Sequence, residues 1–300
     1  MMSAAAIAKA LGGSGQSRRS GWFSCDCPAC RGEGKLGLRD TDTGLAVNCF
    51  KLCRRADILA EIERLGLFGD TPGEPLSAKN ASHRQAEEDA DLRRRIAQAR
   101  DFLSQCLPRN TTDQIARYIR SRGIDPALLT QSIMWHGMAN HPEGGQRPLM
   151  VGVIEHVKLG IIGATRTFLA TDGSQKATFN KPRLFLGLAA GGAVRLGTPH
   201  PRNELVIGEG IESTHSNMQM HSLPGWAALS ACGIKNLILP PEVRRVVIAA
   251  DNDRNGIGSR GALAAARRWG GEMRRVRIDM PPEPGADWND VLTGRRARAA

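Results

Sequence analysis

The sequence predicts an α/β protein, α+β overall, in three parts: a cysteine-rich amino-terminal ribbon, a mixed basic subdomain and a carboxy-terminal parallel sheet of Rossmann-like type. Three observations predict this arrangement. Cysteines concentrate in one short segment near the amino terminus, and strand-like runs with interspersed basic residues follow in residues 149–196. In the last third, apolar strand candidates alternate with helix-compatible segments, which is the pattern of a parallel sheet.

Composition limits the classes of function. The 300 residues include 41 Lys and Arg against 30 Asp and Glu, a formal net charge of +11. With 41% hydrophobic and 24% charged residues the chain lies in the ordinary globular range, which excludes global disorder. The sequence has neither a membrane-length apolar run nor a secretory signal pattern, so we expect a soluble, cytoplasmic protein without membrane contact. The excess positive charge favours an acidic polymer as partner.

Four cysteines have the spacing of a structural zinc site. Cys27 and Cys30 form a C-x2-C pair, and Cys49 and Cys53 form a C-x3-C pair 18 residues later. In a reducing compartment two such pairs are typical of tetrahedral zinc, because each pair directs two thiolates at one ion. Cys25 could replace Cys27 as a ligand. Four protein ligands leave no position for water, so the zinc would be structural.

The residues around these cysteines define the first two segments of the chain. The runs KLGLRD and GLAVNCF predict a hairpin, so we expect a zinc ribbon over residues 20–68 that ends in the short helix ADILAEIERLGLF. Turn-forming residues over 69–82 predict a linker. A charged helix from about Arg84 to Cys106 is expected to follow, which makes residues 69–108 a linker and helix.

Residues 109–200 are predicted to form the basic subdomain. Two helical pieces joined at Gly123 carry Arg117, Arg120 and Arg122, which are interpreted as a solvated surface. Strands and turns follow. The candidate nucleic-acid or nucleotide contacts there are Arg166, Lys176, Lys181 and Arg183.

The last segment, residues 201–295, carries the predicted catalytic acids. Glu209 comes directly after an apolar strand candidate, and Asp251 and Asp253 follow a second one. Because ligands bind beyond the carboxyl ends of parallel strands, these acids are expected to converge although 42 residues separate the first two. Carboxylates that meet in one crevice repel one another unless a cation neutralises them, and hard oxygen ligands suit Mg²⁺.

Two further features qualify this prediction. Asp287 and Asp290 form a third acidic loop and are candidate outer members of the magnesium site. Taken alone, an acidic DND sequence after a strand is often a turn or a helix cap. The chain also has no G-x4-G-K-[ST] sequence, so we expect no ATP-driven motor activity from it alone.

The motifs VIGEGIES and VVIAADNDRNGIGSRGA resemble the Toprim domain of primases, topoisomerases and some nucleases, and the match is closest to primases of phage and plasmid type. CPAC and NCFKLC resemble the primase zinc-binding domain. GATRTFLATDGSQKATFNKPRLFLGL resembles the basic subdomain that precedes Toprim in primases. The pattern departs at one place: the acid often found four positions after the Toprim glutamate is Ser213 here, whereas Glu212 lies one position earlier.

The resemblance implies a DNA primase, a nucleotidyltransferase that makes short RNA primers on single-stranded DNA from ribonucleoside triphosphates. Glu209, Asp251 and Asp253 would then hold Mg²⁺, and a separate replicative helicase would be the partner. Glu209 could instead act as a general acid/base, as in topoisomerases. A topoisomerase itself is not expected, because the one tyrosine, Tyr118, lies outside any recognisable catalytic module. The alternatives are a Toprim nuclease and a non-catalytic zinc-ribbon protein that binds single-stranded DNA.

Overall fold

A computed structural model describes residues 3–13, 21–41, 44–50, 53–68, 78–108, 114–199 and 204–295. The chain divides into two compact units, residues 1–87 and residues 88–300. Most of the predicted linker over 69–82 lies outside the described residues, and its last residues are already helical. Among the described residues no helix has both the length and the apolar character that a membrane span requires.

The first unit is a three-stranded antiparallel sheet with two packed helices. Its elements are α1 (Ala4–Ala10), β1 (Phe23–Cys27), β2 (Gly32–Thr41), β3 (Gly44–Cys49) and α2 (Arg55–Arg64). The predicted hairpin is β2 and β3, and β1 pairs with the other edge of β2. The helix predicted after the second cysteine pair is α2, whose Ile58 and Ile62 are buried.

Helix α1 belongs to the same core, although the sequence analysis does not predict it. Ile7 is fully buried and packs with the apolar side chains of the ribbon and of α2. Ser3 caps the helix by accepting the backbone N–H of Ala6, and Asp40 of β2 accepts the N–H of Ala4 at 2.8 Å. A seven-residue helix rich in alanine has too short a pattern to be recognised without its tertiary contacts.

The second unit contains the remaining elements. They are α3 (Ala78–Ser104), which starts before residue 88, β4 (Leu107–Pro108), α4 (Gln114–Ser121), a 3-10 turn (Pro126–Leu128), β5 (Ile133–Asn140), β6 (Gln146–His156), β7 (Gly160–Phe168), β8 (Arg183–Gly187), β9 (Gly192–Arg195), β10 (Glu204–Gly208), α5 (Ile211–His221), β11 (Gly225–Ala227), α6 (Ala231–Asn236), β12 (Arg245–Ala249), α7 (Ile257–Gly271), β13 (Arg275–Asp279) and α8 (Trp288–Thr293). The predicted charged helix is α3, and α4 and the 3-10 turn are the two helical pieces expected on either side of Gly123.

One mixed sheet runs through this unit. Its strand order is β13-β12-β10-β11-β9-β6-β5-β4, and β7 and β8 extend it from β6. The predicted parallel sheet is confirmed in β10, β11, β12 and β13. Strand β9 pairs antiparallel with both β11 and β6, so the basic subdomain and the parallel sheet share one continuous set of backbone hydrogen bonds.

Helices cover both faces of the parallel part. On one face α5 and α8 pack against Val206 and Val247, and on the other α6 and α7 pack against Leu205 and Val246. Neighbouring strand residues thus point to opposite faces, and both faces are apolar. This double coverage is the Rossmann-like arrangement that the sequence predicts, and it leaves the carboxyl ends of the strands open.

Candidate functional site

The three predicted catalytic acids meet at the carboxyl ends of β10 and β12. These strands pair in parallel, with Gly208 beside Ala249, so Glu209 and Asp251 follow at the same edge of the sheet. A Cβ atom placed on Gly258, in the first turn of α7, would lie 3.2 Å from Glu209 Oε1 and 3.4 Å from Asp253 Oδ2. The structure therefore brings the acids together around a glycine with no room for a side chain.

Burial and mutual repulsion shape the electrostatics of these acids. Burial, followed by the charges of Asp251 and Asp253, raises the pKa of Glu209 to about 7. Burial and the charges of Asp287 and Asp253 raise the pKa of Asp251 to about 6 against the opposing hydrogen bond of Ser213. Glu209 Oε1 is fully buried and has no hydrogen-bond partner. A buried acceptor without a donor beside like charges is the environment that a cation stabilises.

Ser213 occupies the position where the Toprim pattern often has an acid. Its hydroxyl donates to Asp251 Oδ1 at 2.8 Å and accepts the backbone N–H of Trp288 at 3.4 Å. Ser213 thus orients Asp251 and joins α5 to the start of α8 without adding a negative charge.

The outer acids Asp287 and Asp290 cap α8. Asp287 Oδ1 accepts the N–H of Asp290 at 2.8 Å, and Asp290 Oδ2 accepts the N–H of Asp287 at 3.3 Å. Each side chain therefore has one oxygen engaged in a capping box. Both residues also line the cleft that contains Asp251, so the cap holds two further carboxylates beside the acidic cluster.

This cleft has a volume of about 660 Å³ and carries charges of both signs. Its acidic members are Asp251, Asp253, Asp287 and Asp290, and its basic members are Arg122, Lys176 and Arg295. Such a size is typical of small-molecule sites. Cations and carboxylates in one open cleft can bind an anion and a metal ion together.

Arg122 is a candidate functional residue that the sequence analysis assigns to the surface. The side chain lines the cleft, and its Nε is buried without a hydrogen-bond partner. The helical spacing contains a signal for this position. Arg122 follows the buried Tyr118 and Ile119 by four and three residues, so this residue, one position after the end of α4, lies on the same side as they do. Arg117 and Arg120 fall on the outer side and are exposed, as expected.

The four basic residues predicted as nucleic-acid contacts lie in different places in the structure. Lys176 lines the cleft, and the charge of Arg183 opposes the effect of burial on the pKa of Glu209 and of Asp251. Arg166 pairs across β7 and β8 with Leu184, one register position from Arg183, so it points to the opposite face of the sheet. There its guanidinium lies 5.7 Å from the ring centre of Phe102 on α3.

Lys181, the fourth of these residues, has an exposed side chain on a loop held by its backbone. Its carbonyl accepts a hydrogen bond from His141 Nε2 at 3.1 Å, and its N–H donates to Glu143. The structure thus directs Lys176 and Arg183 towards the acids, leaves Lys181 on an exposed loop, and does not bring Arg166 to the cleft.

Glu212, the acid displaced by one position from the Toprim pattern, does not join the acidic cluster. Its Oε1 accepts hydrogen bonds from Tyr118 Oη at 2.5 Å and from Lys176 Nζ at 2.8 Å. Burial acts to raise the pKa of Glu212, but the charge of Lys176 and these two hydrogen bonds outweigh it and hold the pKa below its ordinary value. Glu212 is therefore a buried carboxylate paired with a cation of the cleft.

The four predicted zinc ligands form a cluster in the first unit. The sulfur atoms of Cys27, Cys30, Cys49 and Cys53 all lie within 4.8 Å of one another. Cys30 and Cys49 are 3.8 Å apart, which matches the edge of a tetrahedron of thiolates at about 2.3 Å from zinc. Within the described ranges no other group of Cys, His, Asp or Glu side chains is close enough to hold an ion in this way.

Cys25 is not a member of this cluster. The register of β1 against β2 shifts between Cys25 and Cys27, so the two do not occupy equivalent places. Burial, with a smaller effect of Asp26, raises the pKa of Cys25 to about 12, which keeps it a neutral thiol. The alternative ligand set with Cys25 in place of Cys27 is therefore not the one that the structure forms.

Comparison with known families identifies one part of the chain. Residues 204–297 match the family model of the Toprim domain. The carboxy-terminal part of the chain is a Toprim domain. The recognition of a Toprim domain from the EG and DND motifs is confirmed, and Glu209, Asp251 and Asp253 lie within the matched residues. Residues 93–196 match a domain of unknown function, DUF7146, which covers most of the predicted basic subdomain.

Several solved structures of primases are similar to this chain. The DnaG catalytic core is 16% identical over 62% of this chain and 70% of its own, with a TM-score of 0.44. The zinc-binding and RNA polymerase domains of the Aquifex aeolicus primase are 12% identical over 98% of this chain and 83% of their own, also with a TM-score of 0.44. A DNA primase domain from Pseudomonas aeruginosa is 18% identical over 53% and 52%, with a TM-score of 0.36.

A comparison with curated proteins found no match.

We predict that Asp251→Asn stabilises the metal-free Toprim protein at neutral pH. Folding raises the pKa of Asp251 from 3.8 to about 6, so the ionised carboxylate lowers stability increasingly as pH rises through this window, and fully above it. Asparagine can still accept the hydrogen bond of Ser213. Thermal melting in the presence of a chelator should show an advantage of the variant at pH 8 that shrinks at pH 5.

The control for this measurement is Glu242→Gln, on an exposed loop before β12, which should show no such pH-dependent difference. An Asp251→Asn variant that melts below the parent at every pH would show instead that Asp251 is a structural turn residue.

Proposed function

We propose that this Toprim protein is a DNA primase that makes short RNA primers on single-stranded DNA in the presence of Mg²⁺. One observation carries the proposal: Asp251 and Asp253 share a cleft with Arg122, Lys176 and Arg295. Nucleotidyl transfer needs metal-binding carboxylates and phosphate-binding cations in one place, because the triphosphate binds both.

The acidic residues fit a magnesium site. Glu209, Asp251 and Asp253 offer hard oxygen ligands, their charges repel one another, and Glu209 Oε1 lacks a donor. Among the described residues these carboxylates are less tightly grouped than the cysteines. Mg²⁺ usually keeps several waters and binds few protein ligands. When bound, Mg²⁺ would stabilise the negative charge that develops on the phosphates.

The other residues of the cleft would bind and orient the nucleotide. Arg122, Lys176 and Arg295 supply positive charge for the triphosphate. Ser213 holds Asp251 in one orientation before substrate arrives, and Gly258 lets α7 approach the acids without displacing them. A site whose groups are fixed in advance needs less reorganisation during the reaction.

The first unit would bind structural zinc and contact single-stranded DNA. Phe50 lies between the two cysteines of the second pair and is 62% exposed, and the neighbouring Arg54 is also exposed. An exposed aromatic ring is a surface on which a base can stack. A replicative helicase would be the partner that unwinds the template, since these 300 residues contain no P-loop.

A topoisomerase activity does not fit the described residues. Tyr118 is 1% exposed, and its hydroxyl donates to Glu212. Burial and the charge of Glu212 raise the pKa of this phenol above its ordinary value. A phenol whose hydroxyl is held by a carboxylate and whose pKa is raised is a poor nucleophile for a DNA phosphate. The remaining alternatives are a Toprim nuclease and a binding protein without catalysis.

The function is tested by incubating the purified protein with single-stranded DNA, Mg²⁺ and labelled ribonucleoside triphosphates. We expect short oligoribonucleotides that depend on the template. Asp251→Ala, Asp253→Ala and Glu209→Ala should each reduce synthesis about a hundredfold or more, because loss of a metal ligand costs several kcal/mol in the transition state. Glu242→Ala is the matched control and should keep parental synthesis.

Degraded DNA in the same reaction would identify a nuclease instead, and DNA binding without any new or broken phosphodiester would identify an accessory protein. Parental synthesis by Asp251→Ala would contradict the active site proposed here.

A separate prediction concerns zinc. Protein purified without chelator should contain one zinc per chain. Cys49→Ser should lower the affinity of the protein for zinc. It should also loosen the first unit, because zinc binding contributes directly to the folding of such small modules. Hydrogen exchange should rise over residues 21–68 and stay unchanged in residues 204–295. Cys25→Ser is the matched control, because Cys25 lies outside the cluster. This variant should still contain one zinc per chain.

A further inference from the structure

Among the described residues of the Toprim domain, Glu212 is the buried carboxylate that the proposed mechanism does not use. It is 8% exposed and lies in the first turn of α5, three residues after Glu209. One oxygen accepts from both Tyr118 and Lys176, and within the described part of the chain Lys176 is its one ion-pair partner. Stability alone does not explain this ion pair, because a buried ion pair stabilises a fold little compared with apolar packing.

Lys176 reaches Glu212 from a constrained loop. The backbone pairs Lys176 with Leu169, and Ala170 donates its N–H to the carbonyl of Gln175. Arg117 of α4 donates to the carbonyl of Asp172, which fixes the same loop to the helix that carries Tyr118. The lysine backbone is therefore held from two sides, while its long side chain depends on Glu212 for its direction.

The ammonium group of Lys176 has capacity beyond this ion pair. Its side chain is 38% exposed and lines the cleft that contains Asp251 and Asp253. An ammonium has three donors, and Glu212 takes one of them. The others are available to an anion in the cleft, beside the carboxylates that would hold the metal.

We infer that Glu212 is a positioning residue: it pairs with Lys176 and Tyr118 so that the lysine ammonium faces a phosphate group bound over Asp251 and Asp253. The inference rests on the proposed function for the identity of the anion, a nucleoside triphosphate. Glu212 itself touches neither the phosphate nor the metal. Because a flexible lysine without its partner samples many rotamers, pairing it in advance lowers the entropy lost when the anion binds.

The experiment measures binding of each ribonucleoside triphosphate, with Mg²⁺ and without template, to the full chain by calorimetry. Glu212→Gln keeps the shape of the side chain and removes its charge, and Lys176→Met removes the ammonium. Each should raise Kd about tenfold, the loss expected for one charge-assisted hydrogen bond to a phosphate. The double variant should bind no more weakly than the weaker single variant, because Glu212 acts through Lys176.

Matched controls are Glu242→Gln and Lys158→Met, which remove one charge of each sign from exposed loops and should leave Kd unchanged. Melting temperatures identify variants that fail to fold. The double variant keeps the test valid if Lys176→Met alone is unstable, because it leaves no unpaired buried charge.

Four results would overturn the inference. The first two are no triphosphate binding by the parent and an unchanged Kd for Glu212→Gln. The third is a double variant whose increase in Kd is the product of the two single increases, and the fourth is a Glu212→Gln variant whose Kd returns to the parental value at higher Mg²⁺. The last would make Glu212 a metal ligand. Primer synthesis is measured separately. A parent that binds triphosphates through this pair but makes no primers would contradict the proposed function alone.

Discussion

Repulsion among buried carboxylates is the constraint around which the Toprim domain is arranged. The parallel register of β10 and β12 places Glu209 and Asp251 at one edge of the sheet, and the turn before α7 adds Asp253. Burial and proximity raise the pKa of both Glu209 and Asp251, so the metal-free fold holds these acids together at an electrostatic cost. A cluster of this kind is a mark of function, since nothing in the packing of the sheet requires it.

The surrounding residues reduce this cost without removing the acids. Ser213 donates to Asp251, and the backbone N–H of Ala231 acts to lower the pKa of Glu209. Gly258 lets the first turn of α7 come close. The residues before the Toprim domain supply positive charge: Lys176, on the loop after β7, and Arg122, just after α4, both line the cleft of the acids. Strand β9 joins β11 to β6, so the two subdomains share one sheet.

Local signals in the sequence were sufficient for the parts of the fold with short-range patterns. The cysteine pairs, the hairpin between them and the strand that precedes each acid could all be predicted, because each depends on residues close together in the chain. The shared sheet could not, since β9 is four residues long and its partners β6 and β11 are distant in sequence. Helix α1 was missed for the same reason.

The site was predictable to the same extent. Glu209 directly follows β10, and Asp251 and Asp253 come shortly after the end of β12, so their convergence could be predicted from the parallel topology. The basic residues depend on which face of a strand or helix each occupies. The spacing of basic residues in the sequence does not contain that information. Arg166 and Lys176 are therefore predicted together as contacts, and Arg122 is predicted to lie on the surface. Glu212 shows the same limit, because its partners lie 94 and 36 residues away in the sequence.

The most direct test of this account is the binding of Mn²⁺, an ion that prefers oxygen ligands and can replace Mg²⁺. Binding is measured as the loss of the electron paramagnetic resonance signal of free Mn²⁺. The parent chain should bind Mn²⁺, Mg²⁺ should displace it, and binding near neutral pH should release protons from the acids whose pKa is raised. Asp251→Asn and Glu209→Gln should abolish this binding while the zinc content stays at one per chain. Equal Mn²⁺ binding by the parent and both variants would contradict the claim that these carboxylates form a metal site.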